Sequence, residues 1–257
     1  MKKIIYIVVA ITISISTSPL LGQRSQQHNH KTLLFATEAS YPPFVFMQAN
    51  GTIGGFGADI IHAICQQMQQ SCQIVSAPWD GLIPSLKLGK YDAMFGGMQI
   101  TPQRAKVVDF SNTYYADTVT FVINKRNDFS LDKTSITGKT IGAQAGTTFV
   151  QYLQQQYGNR IKIKTYPSAL AALLDLKADR VDAVFTDKPV AVAWLKKQKG
   201  KTFMTKGNIV NTQYFGEGYA IAVKKGNTKL LAAINKAMIT IKQNGTYKKI
   251  EKKWEMG

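Results

Sequence analysis

The segment from Gly96 to Arg104 has the residue types and the spacing of an anion-binding site. Gly96 and Gly97 carry no Cβ atom, so their backbone amides can approach a ligand closely. Thr101 and Pro102 fit the N-cap and the first position of a helix, where free N–H groups and the helix dipole favour negative charge. Arg104 follows one turn later, and its planar fork can hold both oxygens of a carboxylate. We predict a carboxylate-binding segment; the alternative is a glycine-rich turn whose arginine forms a surface ion pair.

The sequence around this segment alternates between predicted strands and helices. Apolar side chains between positions 60 and 68 have the spacing of a buried helix face. The order β-α-β-α-β occurs twice, and each set predicts a mostly parallel sheet covered by helices. The predicted elements are 32–37, 60–68, 73–76, 82–88 and 93–97 in the first set, and 139–143, 147–157, 161–165, 168–177 and 183–185 in the second.

Two stretches outside these sets predict how the chain passes between them. Residues 118–124 form a β-rich link of Thr and Val. Residues 215–223 alternate like a strand and precede a predicted helix over 227–244. We therefore expect two lobes, with the chain crossing between them twice. The alternative is one continuous open sheet.

The N-terminus fits a signal peptide, residues 1–22. Two lysines form its positive region, and residues 4–15 form an apolar stretch too short to span a bilayer. Residue 23 is Gln rather than the Cys that a lipoprotein needs, so we expect an exported protein without a lipid anchor. Residues 23–31 are polar and are expected to be a disordered leader. The alternatives for the apolar stretch are a membrane anchor and a buried first strand.

The two cysteines, Cys65 and Cys72, lie on a predicted helix and at its exit. In an exported protein we expect them to form a disulfide that closes a small loop. The alternative is a pair of reduced thiols in a core. No Cys/His cluster has the spacing of metal ligands, so no metal or other cofactor is expected.

The chain is strongly basic, with a formal net charge of +17. Removal of Lys2 and Lys3 with the signal peptide lowers this value by two, to +15. The basic residues are scattered, without interleaved aromatics or a nucleic-acid motif, so no nucleic-acid partner is expected. We interpret them as a solvated basic surface, with an anionic cell surface or a transporter as the alternative partner.

Eight segments in consistent order carry a resemblance to a protein family. The chain resembles the periplasmic amino-acid-binding proteins of ABC importers, and most closely the branch that binds arginine, lysine and ornithine, or histidine. The resemblance extends from about residue 32 to the C-terminus. Its segments are Ala39 to Phe44, Gly55-Phe56 with Asp59, Trp79 to Leu86, Lys90 to Ala93, Gly96 to Arg104, Gly146 to Thr148, Arg180 to Asp187, and Asn244 to Tyr247.

The resemblance implies a two-lobed α/β fold of the periplasmic-binding-protein type II. Each lobe is expected to be a mostly parallel sheet flanked by helices, and a two-stranded hinge joins the lobes. Lobe 1 is discontinuous, residues 32–117 plus 219–257, and lobe 2 is residues 118–218 with hinge crossings at both ends. The implied protein is a periplasmic monomer without enzymatic activity, which captures an amino acid between its closing lobes and delivers it to an inner-membrane ABC permease.

The resemblance also implies which residues hold the α-carboxylate and the α-ammonium of the ligand. Asp187 is expected to hold the ammonium; its alternative role is an N-cap before Lys188-Pro189. Gln99 departs from the family, which usually has a small hydroxyl or an Asp there, and its amide oxygen is expected to accept from the ammonium. The remaining residues implied at this end are Gly97, Met98, Arg104, Thr147 and Thr148.

Three positions are implied around the ligand side chain. Tyr41 and Trp79 can sandwich a flat guanidinium, and Glu38 supplies the countercharge. We therefore favour arginine, followed by lysine, ornithine and histidine. Glutamine also fits, because an acidic residue can accept from a side-chain amide, and cystine is a further alternative. The alternative roles are core packing for both aromatics and a solvated loop carboxylate for Glu38.

An enzyme and a surface module are two other classes of function that the sequence suggests. A periplasmic dehydratase for cyclic prephenate-like acids has the same fold and needs a general acid, for which Glu38 is the available carboxylate. The predicted cleft lacks a His, and the closest resemblance is to transport proteins. A surface adhesin or sensor module would use the basic surface, although no extra domain supports it.

Overall fold

The computed structural model describes residues 32–116, 118–198, 200 and 202–256. The predicted signal peptide, residues 1–22, and the predicted leader, residues 23–31, lie outside this described part. Among the described residues, no helix combines the length and the apolar character needed to cross a membrane.

Strands and helices alternate along the described chain. The first elements are β1 (Leu33–Thr37), β2 (Ser40–Tyr41), β3 (Val45–Met47), β4 (Ile53–Gly54), α1 (Phe56–Gln67), β5 (Cys72–Ser76), α2 (Trp79–Lys87), β6 (Ala93–Met94), α3 (Pro102–Ala105) and β7 (Val108–Phe110). They are followed by β8 (Val119–Asn124), β9 (Thr140–Gln144), α4 (Thr148–Tyr157), β10 (Lys162–Tyr166), α5 (Ala169–Lys177), β11 (Ala183–Asp187), α6 (Lys188–Lys196), β12 (Phe203–Ile209) and α7 (Thr212–Phe215). The last are β13 (Ala222–Lys224), α8 (Thr228–Gln243) and α9 (Thr246–Lys253).

The first sheet has five strands in the order β5-β1-β6-β13-β7. Strand β1 pairs in parallel with β5 and β6, whereas β13 is antiparallel to both β6 and β7. Four strands therefore run in one direction, as predicted for a mostly parallel sheet. Apolar residues of α1 and α8 pack on one face, and those of α2 pack on the other. Because β13 comes from far down the chain, this lobe is built from two separate segments.

The second sheet repeats the arrangement, with the order β10-β9-β11-β8-β12. Strands β10, β9 and β11 are parallel, and β8 is antiparallel to both β11 and β12. The chain crosses between the sheets after β7 and again before β13. An isolated antiparallel bridge joins Tyr115 and Tyr219 in these two crossings, which together form the predicted two-stranded hinge. The lobe boundaries at 117/118 and 218/219 stay predictions.

The β-rich link predicted over 118–124 is mostly strand β8, whose six residues are all buried in the second sheet, because a Thr- and Val-rich run fits a strand covered on both faces. Other segments outside the two α/β sets differ from the prediction. The return strand over 215–223 begins only at Ala222. The helix after residue 244 was not predicted: Gly245, at φ +79°, ends the preceding helix and allows the chain to turn into α9.

The predicted disulfide is present. Cys65 of α1 and Cys72 at the start of β5 are bonded, with 6.2 Å between their Cα atoms. The bond fastens the C-terminal end of α1 to the edge strand of the first sheet. It lies outside the cleft described below, so its role is structural.

Candidate functional site

The candidate site lies between the two sheets, at the carboxyl ends of their parallel strands. Glu38 follows β1, Gly96 follows β6, Gln144 ends β9 and Asp187 ends β11. Open parallel sheets place their ligand sites at this edge, where successive strands and helices leave a crevice. The two lobes therefore face each other with the edges that carry their polar loop residues.

The loop after β6 explains why the predicted strand over 93–97 stops at Met94. Gly96 and Gly97 have φ values of +93° and +73°, a region that favours glycine. A Cβ atom on Gly96 would lie 2.4 Å from Oγ1 of Thr37, and one on Gly97 would lie 3.1 Å from the ring of Tyr41. Glycine at both positions therefore lets the main chain turn into the cleft.

Thr101 caps the short helix α3 as predicted, since its side chain accepts a hydrogen bond from the Arg104 amide at 3.3 Å. Helix α3 is only one turn long, Pro102–Ala105, because the chain must enter β7 at Val108. The expected contribution of a helix dipole is therefore small, since that dipole needs several aligned turns. What the segment offers instead is an arginine at a fixed position.

The guanidinium of Arg104 is held inside the cleft. Its Nη1 donates to the carbonyl oxygen of Gln99 at 3.0 Å, and its Cζ lies 5.5 Å from the centroid of the Trp79 ring. Burial lowers the pKa of Arg104 to about 10, and the charge of Asp187 acts in the opposite direction. The side chain stays cationic at neutral pH. The alternative of a surface ion pair does not describe its environment.

Asp187 is buried, with 1% of its surface exposed. It occupies the N-cap position of α6, but its side chain makes no capping hydrogen bond. Its carboxylate instead accepts from the hydroxyl of Tyr41 in the other lobe. The N-cap alternative is therefore incomplete, because the side chain points into the cleft. Arg104 and Asp187 together give the cleft one cationic and one anionic group.

Glu38 lines the same cavity as Arg104 and Asp187. Its carboxylate accepts hydrogen bonds from the Ser40 hydroxyl and from the side-chain amide of Gln144. Burial raises the pKa of Glu38, although both hydrogen bonds oppose that shift. Gln144 also donates to the carbonyl oxygen of Pro167 at 3.3 Å, which fixes the orientation of its amide. Glu38 is therefore not a solvated loop carboxylate.

Two aromatic residues, Tyr41 and Trp79, also line this cavity. The indole Nε1 of Trp79 donates to the carbonyl oxygen of Gly146 at 3.2 Å. Tyr41 stacks on Phe44 with 6.2 Å between ring centroids, and it is buried in the same hydrophobic cluster as Val190 of the second lobe. Tyr41 thus serves both core packing and the cleft wall.

Gln99 of the first lobe forms a hydrogen bond with the second lobe. Its amide oxygen accepts from the hydroxyl of Thr148, the first residue of α4. Its amide nitrogen is buried and has no hydrogen-bond partner among the described residues. The oxygen that we expected to accept from an ammonium group is thus already bonded to the second lobe.

Eight of the ten predicted ligand-binding residues line the cavity between the lobes. The two exceptions are Met98, whose side chain packs in the hydrophobic cluster with Leu82 and Leu86, and Thr148, which reaches the site through Gln99. The cavity has a volume of about 10 Å³, about the smallest that holds one water molecule. An amino acid can therefore enter only when the lobes separate.

The cavity also contains Gly96, which the predicted anion-binding segment includes, and two residues that were not predicted, Gln144 and Phe149. One usable indication existed for Gln144, since it directly follows the predicted strand over 139–143 and the carboxyl ends of parallel strands attract ligands. No comparable pattern marked Phe149. Among the described residues, no three His, Cys, Asp or Glu side chains come together in a way that could hold a metal ion.

Comparisons with known proteins show which family the chain matches. Residues 33–257 match the model of a family described as bacterial extracellular solute-binding proteins, family 3. The chain is 41% identical over 220 residues to ABC transporter arginine-binding protein 1 of Escherichia coli (strain K12), a match that spans 86% of this chain and 89% of that protein.

Two solved structures are similar over most of their length. A Salmonella typhimurium periplasmic binding protein studied for its high arginine specificity is 35% identical, with a TM-score of 0.81, and the match covers 87% of this chain and 99% of that one. An ancestral arginine-binding protein bound to glutamine is 38% identical, with a TM-score of 0.80, covering 87% and 97%.

Proposed function

Since the chain belongs to the bacterial extracellular solute-binding proteins of family 3, we propose that it captures a basic amino acid, with L-arginine favoured, between its two lobes. It delivers this ligand to an ABC permease of the inner membrane and works in the periplasm as a monomer. The fold is the two-lobed periplasmic-binding-protein type II arrangement. The relatives named above are binding proteins, and the proposed role involves no catalysis.

The observation that carries this proposal is the set of charged groups that line the cleft. Arg104 and Asp187 are close enough for their charges to interact, and they complement an α-carboxylate and an α-ammonium. Glu38 lines the same cavity and complements a cationic side chain. A guanidinium there can donate to both Glu38 and the amide oxygen of Gln144 while Trp79 covers its face. A free amino acid with a long basic side chain matches all three charges.

Capture follows from the positions of these groups on both lobes. Glu38, Trp79 and Arg104 belong to the first lobe, and Gln144 and Asp187 belong to the second. A ligand that contacts both sets interacts fully only when the lobes are closed, so it shifts the population toward the closed form. The permease can then distinguish loaded from empty protein by its shape.

A panel of related ligands tests the proposal on the ligand-stripped, refolded protein. Isothermal titration and thermal shift should rank L-arginine first. Agmatine lacks the α-carboxylate and should not bind. Citrulline replaces the guanidinium by a neutral group of the same shape and should bind about tenfold to a hundredfold more weakly, because a charged hydrogen bond is lost.

Each outcome of the panel decides a separate part of the proposal. Stronger binding of glutamine than of arginine would overturn the assignment of Glu38 to a cationic side chain, while the roles of Arg104 and Asp187 would stand. Glutamine is the main competing ligand, because one similar solved structure is an ancestral arginine-binding protein bound to glutamine. Equal binding of agmatine and arginine would overturn the role of Arg104. The absence of any shift across the amino acids would overturn the function.

A further inference from the structure

The positive charge of the first lobe is concentrated in its C-terminal part. Residues 224–256 contain nine lysines and two glutamates, a formal charge of +7, whereas residues 32–116 contain four basic and five acidic residues, a formal charge of −1. The two segments of this lobe therefore differ in net charge by eight units. The excess lies on helices α8 and α9 and has no role in the cleft.

These two helices turn one face inward and one face outward. In α8, Ile234, Met238 and Ile241 are buried against the first sheet. In α9, Ile250 and Trp254 pack against the same hydrophobic cluster. The opposite faces of both helices are exposed. Seven lysines of the two helices are exposed, of which Lys242 donates to the carbonyl oxygen of Thr113 and Lys253 pairs with Asp59. The other five, which we name the C-terminal basic face, are Lys229, Lys236, Lys248, Lys249 and Lys252.

The C-terminal basic face is not neutralised by the rest of the described protein. Two neighbouring lysines do form ion pairs, Lys225 with Asp109 and Lys253 with Asp59, each at 2.7 Å. The five lysines of the face form no ion pair with any described residue. They therefore present positive charge toward solvent from two adjacent helices.

An exposed apolar side chain lies among these charges. Ile239 is 48% exposed and stands about one helical turn after Lys236. The aromatic rings of Tyr247 and Trp254 instead pack inward, so the face offers no rings for stacking on nucleic-acid bases. Lysines around an apolar side chain on a surface helix complement anionic headgroups with acyl chains beneath them.

We propose that the C-terminal basic face binds the surface of an anionic phospholipid bilayer. None of its lysines lines the cleft, so the protein can hold its ligand and a membrane together. Attachment of this kind is electrostatic and reversible, and it weakens as salt screens the charges. The proposal goes beyond the amino-acid-binding function and does not depend on it.

Vesicle flotation tests the proposal with the mature, full-length protein. The probes are vesicles that contain phosphatidylglycerol and vesicles of pure phosphatidylcholine, each at low and high salt. The test variant is Lys248→Glu/Lys249→Glu/Lys252→Glu. The matched control reverses three exposed lysines of the second lobe, Lys133→Glu/Lys162→Glu/Lys177→Glu. Circular dichroism and urea unfolding of each variant check separately that it is folded.

We expect the wild type to float with anionic vesicles at low salt and not with neutral ones. The C-terminal variant should bind at least tenfold more weakly, and the control should stay within about twofold of the wild type. Equal weakening of both variants would show attraction by net charge alone and overturn the proposal. The proposal would also be overturned if the wild type did not bind anionic vesicles. Binding of soluble polyglutamate as tight as binding of the vesicles would overturn it too, since that result would indicate an acidic protein partner.

Discussion

The hydroxyl of Tyr41 donates a hydrogen bond to the carboxylate of Asp187, and this bond joins the two lobes across the cleft. It is one of several such contacts. Glu38 bonds to Gln144, Gln99 bonds to Thr148, and Trp79 bonds to the main chain of Gly146. The groups proposed to recognise the ligand are thus paired with each other. Binding must exchange the Tyr41–Asp187 and Glu38–Gln144 contacts for contacts with the ligand, whereas the Gln99–Thr148 bond is expected to persist in the closed form.

Arg104→Lys should weaken the binding of every amino acid by about a hundredfold or more. Lysine keeps the charge but loses the planar fork that holds both oxygens of a carboxylate, and it loses the hydrogen bond that fixes Arg104 on Gln99. Isothermal titration with arginine and lysine measures the effect. Arg180→Lys, at an exposed arginine paired with Asp175, is the control, and near-normal affinity of the Arg104 variant would refute the site.

Glu38→Gln should weaken arginine binding without lowering the stability of the protein at neutral pH. Burial raises the pKa of Glu38, so the folded protein binds this proton more tightly than the unfolded chain does. The ionised carboxylate therefore opposes folding as the pH rises above the unfolded value. Urea unfolding at neutral pH should give a midpoint equal to or above that of the wild type.

The raised pKa of Glu38 also predicts how arginine binding depends on pH. Glu38 should become protonated at a higher pH than the usual value of 4.5 for a glutamate, and arginine affinity should fall as this happens. Citrulline affinity should change less, because citrulline has no side-chain charge. Titrations of both ligands across this range measure the difference. Parallel curves would contradict the assigned role, and the exposed Glu217→Gln serves as the control.

Thr148→Val should reduce affinity for all ligands by a similar factor of about five to ten. The substitution keeps the shape of the side chain but removes the hydroxyl that bonds Gln99 across the cleft, and one hydrogen bond contributes about 1 kcal/mol. Because closure is affected rather than the side-chain pocket, the ranking of ligands should not change. An altered ranking in the titrations would indicate direct contact with the ligand side chain. Thr137→Val, at an exposed position, is the matched control.

Replacement of both cysteines by serine should lower the free energy of unfolding by about 2 kcal/mol, since the Cys65–Cys72 disulfide closes a short loop. The bond lies outside the cleft, so arginine affinity should be unchanged. Urea unfolding and titration of the double variant measure the two effects. A large loss of affinity would mean that the junction of α1 and β5 helps to shape the cleft.

The sequence predicted the local features of the site well. Thr101 caps α3, Arg104 follows it, and the loop after β6 consists of glycines with positive φ. Each of these features depends on interactions between residues a few positions apart, so the local amino-acid sequence predicts it. The order of strands and helices within the two β-α-β-α-β sets was predicted for the same reason. The length of α3 was not, because the need to enter β7 limits it to one turn.

Residues brought together from distant parts of the chain were harder to predict. Gln144 lies 106 positions from its partner Glu38, and no spacing relates the two. Met98 stands between two cavity residues but turns its side chain into the core, since neighbouring positions in an extended segment point in opposite directions. The long side chain of Gln99 reaches Thr148 only because the second lobe lies opposite it.

The sequence by itself determined the two α/β sets, the disulfide and the charged residues available to a cleft. These follow from hydrophobic period, glycine and proline positions, and residue chemistry, which act locally. Only the tertiary structure decided that Tyr41 meets Asp187, that Arg104 lies beside Trp79 and that these lysines of α8 and α9 are exposed to solvent. Those relationships depend on how the two sheets and their helices pack. Packing brings together side chains that are far apart along the chain, and their sequence separation does not indicate how close they lie in space.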